Sequence, residues 1–115
     1  KKKDMAIYSN LTIDQGSSFL AYVDVTDSSG NILNLTGYTV AGQIRKTYSS
    51  LTAVSFSASV STATAGTISL ALTDTETNSM KPGRFVYDVE ILSSGGTRTR
   101  VLEGQVEVTP GVTQV

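Results

Sequence analysis

The sequence predicts an all-β fold, a sandwich of antiparallel sheets built from seven or eight strands, and three observations carry that reading. Apolar residues alternate with Ser and Thr along most of the chain, the period-2 signature of half-buried strands. Ser and Thr supply 31 of the 115 residues, and β-branched Thr suits the solvent face of a sheet. Turn-forming clusters punctuate the chain at roughly the 8–12-residue spacing of sandwich strands. Nothing resembles a long helix.

The elements follow in order. Residues 6–13 read as an edge strand that Gln15-Gly16 breaks. Residues 17–27 alternate cleanly, with Phe19, Ala21, Val23 and Val25 on one face and Tyr22, Asp24 and Thr26 on the other. One face therefore meets a core and the other meets water. Asp27-Ser28-Ser29-Gly30-Asn31 has the residues of a hairpin turn, and residues 32–35 read as a short return strand. Residues 38–46 form the next strand, with Tyr38, Val40, Gly42 and Ile44 on one face. Gly42 marks a point where another backbone approaches closely. After a polar loop at 47–51, Val54, Phe56, Ala58 and Val60 make an apolar row against serines. Residues 62–66 turn the chain into Ile68, Leu70 and Leu72. Thr73 or Asp74 caps a short helical turn with Glu76 near its start, and Pro82-Gly83 stops it. Phe85, Tyr87, Val89 and Ile91 form a strong inward row. Residues 93–96 turn again, and residues 98–109 close the fold with Leu102, Val106 and Val108 inward. Gly104, inside that strand, implies a bulge or a close approach.

Length and composition bound the rest. One domain at residues 6–110 is expected, between tails at 1–5 and 111–115. Leu, Ile, Val and Phe make up 30 residues, about 26%, above the roughly 20% at which disorder becomes the better reading. Cys, His and Trp are absent. That removes disulfides, thiol nucleophiles, the usual general base near neutrality and the commonest transition-metal ligands. The net charge is −1. Lys1, Lys2 and Lys3 stand together as a solvated start, leaving a mildly acidic body, so no nucleic-acid partner is expected. No apolar run reaches the ~18 residues of a membrane span, so no membrane partner is expected either.

Two resemblances add to this. The run from Ile68 to Gly83-Arg84-Phe85-Val86-Tyr87 resembles the approach to the sixth strand of immunoglobulin-like sandwiches. Phe85 holds the position of the usual Tyr and Tyr87 that of the core Cys, so the hydroxyl bond of the tyrosine corner is not available to Phe85. The fold expected is thus an immunoglobulin-like antiparallel sandwich. The second resemblance runs from Asp14-Gln15-Gly16-Ser17-Ser18-Phe19 through Asp27-Ser28-Ser29-Gly30-Asn31, Leu35-Thr36-Gly37-Tyr38-Thr39 and Gln43-Ile44-Arg45-Lys46. It continues with Pro82-Gly83-Arg84-Phe85-Val86-Tyr87-Asp88-Val89-Glu90, Leu102-Glu103-Gly104-Gln105-Val106 and Val108-Thr109-Pro110. This succession is similar to small sandwich domains of tailed-bacteriophage virion proteins, namely baseplate upper-protein N-terminal domains and short structural proteins of phages infecting cyanobacteria. It implies a non-enzymatic virion component in tail, baseplate, fibre base or capsid surface, assembled in the host cytoplasm. Its partners would be other virion proteins and further copies of itself.

Candidate chemistry is sparse. Paired carboxylates are Asp24 with Asp27, Asp74 with Glu76, and Asp88 with Glu90. The last pair shares a strand face at about 7 Å by strand rise, within glycosidase range, but a solvated face accounts for it. Asp24, Asp27 and Asn31 are the oxygen ligands that a calcium site would use, although a plain turn explains them. Arg45, Lys46, Arg84, Arg98 and Arg100 form either a basic patch or edge-protecting charges. Asn10 and Asn34 stand in glycosylation sequons. Tyr8, Tyr22, Tyr38, Tyr48 and Tyr87 would serve an adhesive module binding host-surface glycan or protein if they shared one face. No catalytic, metal or cofactor residue is assigned.

Overall fold

The computed structural model describes residues 7–27 and 29–112. The expected tail at 1–5 and the last residues of the expected tail at 111–115 lie outside them. The strands are β1 (Ile7–Tyr8), β2 (Leu11–Asp14), β3 (Phe19–Asp24), β4 (Thr39–Arg45), β5 (Val54–Ser55), β6 (Ser57–Thr62), β7 (Thr67–Leu72), β8 (Gly83–Leu92) and β9 (Arg98–Thr109). One short helix, α1 (Asp74–Asn78), lies between β7 and β8. The strands form two sheets, one in the order β1-β9-β8-β4-β5 with β2 also on β9, the other in the order β3-β7-β6. The molecule is an all-β sandwich. Its central orders, β9-β8-β4 and β3-β7-β6, match the G-F-C and B-E-D orders of the immunoglobulin sandwich.

Nine strand segments reduce to seven runs of chain. β1 and β2 are one run interrupted at Ser9 and Asn10. β5 and β6 are one run that leaves the larger sheet at Phe56 and joins the smaller. The pairing is antiparallel throughout except at the start, where β1 and β2 run parallel to β9, in register Ile7 to Leu102 and Leu11 to Val106. A period-2 pattern reports which face is buried and not which neighbour a strand takes, so this pairing was open in the sequence.

The core lies between the sheets. Ile13, Ile44, Phe56, Ile68, Leu70, Leu72, Tyr87, Val89, Ile91, Leu102, Val106 and Val108 are all buried, and all but Ile13 stand on a row that alternation assigned inward. Phe19, Phe56 and Tyr87 link the sheets as an aromatic series, with centroids 6.1 Å apart at each step and an edge-on contact between Phe56 and Tyr87, the geometry that ring quadrupoles favour.

One local expectation is corrected and two are refined. Residues 32–35 form no strand; an isolated bridge joins Thr26 to Ile32. The Asn34 side chain instead accepts the Thr36 amide at 3.0 Å and Gly37 takes φ +84, a local turn that competes with pairing. Leu35, donating its amide to Ala63, plugs the end of the sandwich. At Gly42 a backbone does come close, the Asp88 carbonyl lying 3.3 Å from where a Cβ would stand, but the Phe56 ring and Val89 come closer still, at 3.1 Å. Of the two alternatives at Gly104 the close approach holds, to the Ser9 carbonyl, while the bulge of the last strand falls at Val101, the residue skipped between the Val89–Leu102 and Glu90–Arg100 pairs.

The helical turn follows its expected chemistry. Thr73 accepts from the Glu76 amide and Glu76 accepts from the Thr73 amide, a capping box. The buried Thr77 hydroxyl donates to the Ser17 carbonyl at 2.8 Å and accepts from the Gly16 amide at 3.0 Å, tying α1 to the β2–β3 turn.

Gly42→Ala is expected to destabilise the fold by about 1–3 kcal/mol, because the new methyl overpacks Phe56 and Val89. The check is a lower urea midpoint with an unchanged m-value.

Candidate functional site

The outward surface of the larger sheet holds most of the charges singled out in the sequence. Inward Tyr87, Val89 and Ile91 on β8 force Asp88 and Glu90 outward, as alternation requires. On β9 strict alternation would turn Arg98 and Arg100 toward the core, since both have the parity of Leu102. The Val101 bulge flips that parity and brings both arginines onto the outer face. There Arg100 pairs with Asp88 at 3.2 Å and with Glu103 at 3.4 Å, and Arg98 pairs with Glu90 at 3.4 Å. Asp88 and Glu90 are therefore each paired with a cation, and both line an open depression of about 520 Å³ with Gln43, Arg45 and Arg98. Burial raises the Asp88 carboxyl above its ordinary value, and the Arg100 guanidinium opposes that shift.

The cations do not gather into one free patch. Arg45 donates to the Ser50 carbonyl at 2.7 Å and to the Gln43 side chain at 2.9 Å. Lys46 lies 4.8 Å over the Phe85 ring and donates to the Arg84 carbonyl. Arg98 and Arg100 are paired with acids as described.

The calcium candidates are separated by their hydrogen bonds. The Asp27 carboxylate accepts from the Ser29 and Asn31 amides, which makes it part of the turn. Asp24 accepts from the Thr67 hydroxyl at 2.8 Å. No cluster of three or more metal-type ligands occurs among the described residues. Asp74 bonds the Thr75 amide and Glu76 serves the cap. Asn34 serves its own turn, while Asn10 accepts from the Gln105 amide at 3.0 Å.

The tyrosines divide between surfaces. Tyr22 projects from β3 on the smaller sheet. Tyr8 stands in register with Glu103 at the edge of the larger sheet. Tyr48 lines a depression of about 200 Å³ with Gln43, Arg45, Val86, Asp88, Arg100 and Glu103. Tyr38 lines an opening at the end of the sandwich with Val25, Leu33 and Ile91. Tyr87 is buried in the core.

Tyr87 anchors an arrangement that residue types alone did not announce. Its hydroxyl donates to the Ser9 carbonyl at 2.6 Å, at the break between β1 and β2. Gly104 is the register partner of Tyr87 on β9, and a Cβ added there would collide with that same carbonyl oxygen. The Ser9 amide donates to the Glu103 carbonyl at 2.8 Å. Burial pushes the Tyr87 hydroxyl up to about 12. Gly104 was a visible signal for close approach, whereas Ser9 carries none.

No protein-family model matches the chain, and no curated protein matches it in sequence. Among solved structures, an internalin-like protein of Listeria monocytogenes is similar at 16% identity and a TM-score of 0.45. The match covers 90% of this chain and 28% of that one.

The outward surface of the smaller sheet is the contrast to the charged one. Its rows, in register, are Leu20, Ala71 and Ser57, then Tyr22, Ser69 and Ser59, then Asp24 with Thr67 and Thr62. Asp24 is the one charged residue in β3, β6 and β7 together.

Tyr87→Phe is expected to cost about 1–2 kcal/mol, since it leaves the Ser9 carbonyl without its donor. The native pKa of Tyr87 lies above the unfolded value of 10.0. Its contribution is therefore complete below pH 10 and is lost as the pH rises toward about 12, and Tyr87→Phe removes that part of the alkaline loss measured by denaturant titration. Gly104→Ala is expected to cost about 3 kcal/mol and to abolish amide protection in β1 and β2 first, read by hydrogen exchange.

Proposed function

We propose that this chain is a structural contact module of a tailed-phage virion, placed in tail, baseplate, fibre base or capsid surface. It works in several copies through protein–protein contact and without catalysis. The observation that carries this reading is the division of the sandwich into a charged outer surface and a nearly uncharged one. Flat surfaces of small and apolar residues are what repeated contacts use, because charged residues are depleted from the cores of interfaces. The ordered motifs between residues 14 and 110 that resemble virion sandwich domains supply the particle. The candidate carboxylates support a role without chemistry, since Asp88 and Glu90 are engaged by Arg100 and Arg98.

A second reading, an adhesive module for host-surface glycan or protein, draws on Tyr48. Tyr48 is 82% exposed and lines the depression shared with Arg45, Asp88 and Glu103. A glycan array that binds the wild type and loses its signal with Tyr48→Ala would favour it.

Mass spectrometry of purified particles is expected to find the chain in several copies per virion, and cryo-EM to place it at a repeated contact. Absence from purified particles removes the reading.

A further inference from the structure

We infer that β3 is a docking edge for a second copy of this chain, which adds its own β3 antiparallel and joins two three-stranded sheets into one of six. The inference names the contact surface for the module reading above and rests on it.

Sheet edges are normally blunted, because a row of free amides and carbonyls invites unwanted pairing. Three of the four edges here are blunted. β5 has two residues, and the β1–β2 edge is broken at Ser9 and Asn10. β6 is bulged at Ser61, between the Val60–Ile68 and Thr62–Thr67 pairs. β3 is different: six residues pair with β7 in unbroken register, from Phe19–Leu72 to Asp24–Thr67. It holds no Pro, no Lys and no bulge. The Val25 amide donates to the Gly66 carbonyl at 2.7 Å. Antiparallel alternation then turns the amides and carbonyls of Phe19, Ala21 and Val23 toward β7 and those of Leu20, Tyr22 and Asp24 away from it. Among the described residues these outward groups have no backbone partner beyond the sheet.

The side chains say what fits. Leu20 and Tyr22 are 59% and 63% exposed, on the same residues whose backbone groups are free. A two-fold axis through Ala21 sets Leu20 of each copy opposite Tyr22 of the other, an aliphatic–aromatic cross-strand pair made twice. The same axis sends the two Asp24 carboxylates to opposite ends, about 20 Å apart by strand rise, well beyond the ~8 Å screening length of physiological salt. A parallel pairing of the same edges would instead turn the second copy's sheet over and leave Leu20 and Tyr22 without facing partners. Charge and side-chain pattern therefore select a second copy in antiparallel register. The flanking surface, of Ala, Ser and Thr from β7 and β6, continues across the joint.

Sedimentation velocity over a wide range of protein concentration tests this, together with amide hydrogen exchange. The wild type should self-associate on concentration, and the amides of Leu20, Tyr22 and Asp24 should gain protection as it does. In the double variant Leu20→Lys, Tyr22→Lys each lysine faces a lysine of the partner, so association should weaken at least about tenfold. In Leu20→Lys, Tyr22→Glu each lysine faces a glutamate, so association should persist at low salt and fade as salt is added. Both variants change exposed side chains, and circular dichroism checks that they fold; if one does not, the wild-type amide protection decides. A wild type that stays monomeric at the highest concentration overturns the inference, as does a Lys/Lys variant that pairs like wild type. A Lys/Glu variant that stays monomeric while the wild type pairs overturns the register through Ala21. A monomeric wild type found in multiple copies in particles would overturn the edge pairing and leave the module reading standing.

Discussion

The Ser9 carbonyl rests on Gly104 and accepts the Tyr87 hydroxyl, and the layout of both sheets depends on that contact. A side chain at position 104 would hold the first strand off the edge of β9. With glycine there, the chain comes close enough for the Ser9 amide to reach the Glu103 carbonyl and for Asn10 to take the Gln105 amide. A buried tyrosine hydroxyl also needs a partner, since leaving it unpaired in the core is costly. The carbonyl exposed by the strand break is that partner. One small residue, one aromatic and one irregularity therefore satisfy each other.

The consequence reaches the opposite sheet. The first strand is spent on β9, where it covers an edge of the larger sheet. It is therefore not beside β3, the position that the first strand occupies in the constant-type immunoglobulin order. The larger sheet ends in short or broken segments, and the smaller one keeps β3 as a full-length border. Phe56 makes the division possible from the other side. Its ring contacts both Phe19 and Tyr87 while the chain crosses from β5 to β6. Gly42 leaves the space that this crossing ring fills.

What the sequence makes legible follows from what alternation encodes. Most buried rows, a helical turn capped at Thr73 or Asp74 and the turn at 93–96 could be read directly, because burial period and turn chemistry are local. Pairing partners are not local. Nothing in Ile7 or Leu11 says that their neighbour is β9 and that it runs parallel. The Val101 bulge is the clearest case. By parity Arg100 and Leu102 share a face, and the extra residue alone separates the cation from the core and sets it beside Asp88 and Glu103. A bulge at a valine leaves no compositional mark, while Gly104, which looks like one, serves a different purpose. Of the candidate functional residues, the acids were visible as outward groups and the arginines as surface charges in spite of their strand parity, but not that they would neutralise one another. The tyrosines were visible as a set, but not that the sheets would divide them.

The distribution of charge then sets the two outer surfaces apart. Surface ion pairs such as Arg98–Glu90 contribute little to stability, with a median of about 0–1 kcal/mol. Their value on the larger sheet is better understood through hydration: that surface stays wet and resists nonspecific association. The smaller sheet has no such protection, with one carboxylate across three strands and two large exposed side chains on a regular edge. If both outer surfaces were only solvent boundaries, nothing would set them apart, since their strands bury the same core with the same alternation. The asymmetry lies wholly in the outward residues, which folding leaves free to vary. A difference confined to positions that the core does not constrain is where the proposed contacts would act.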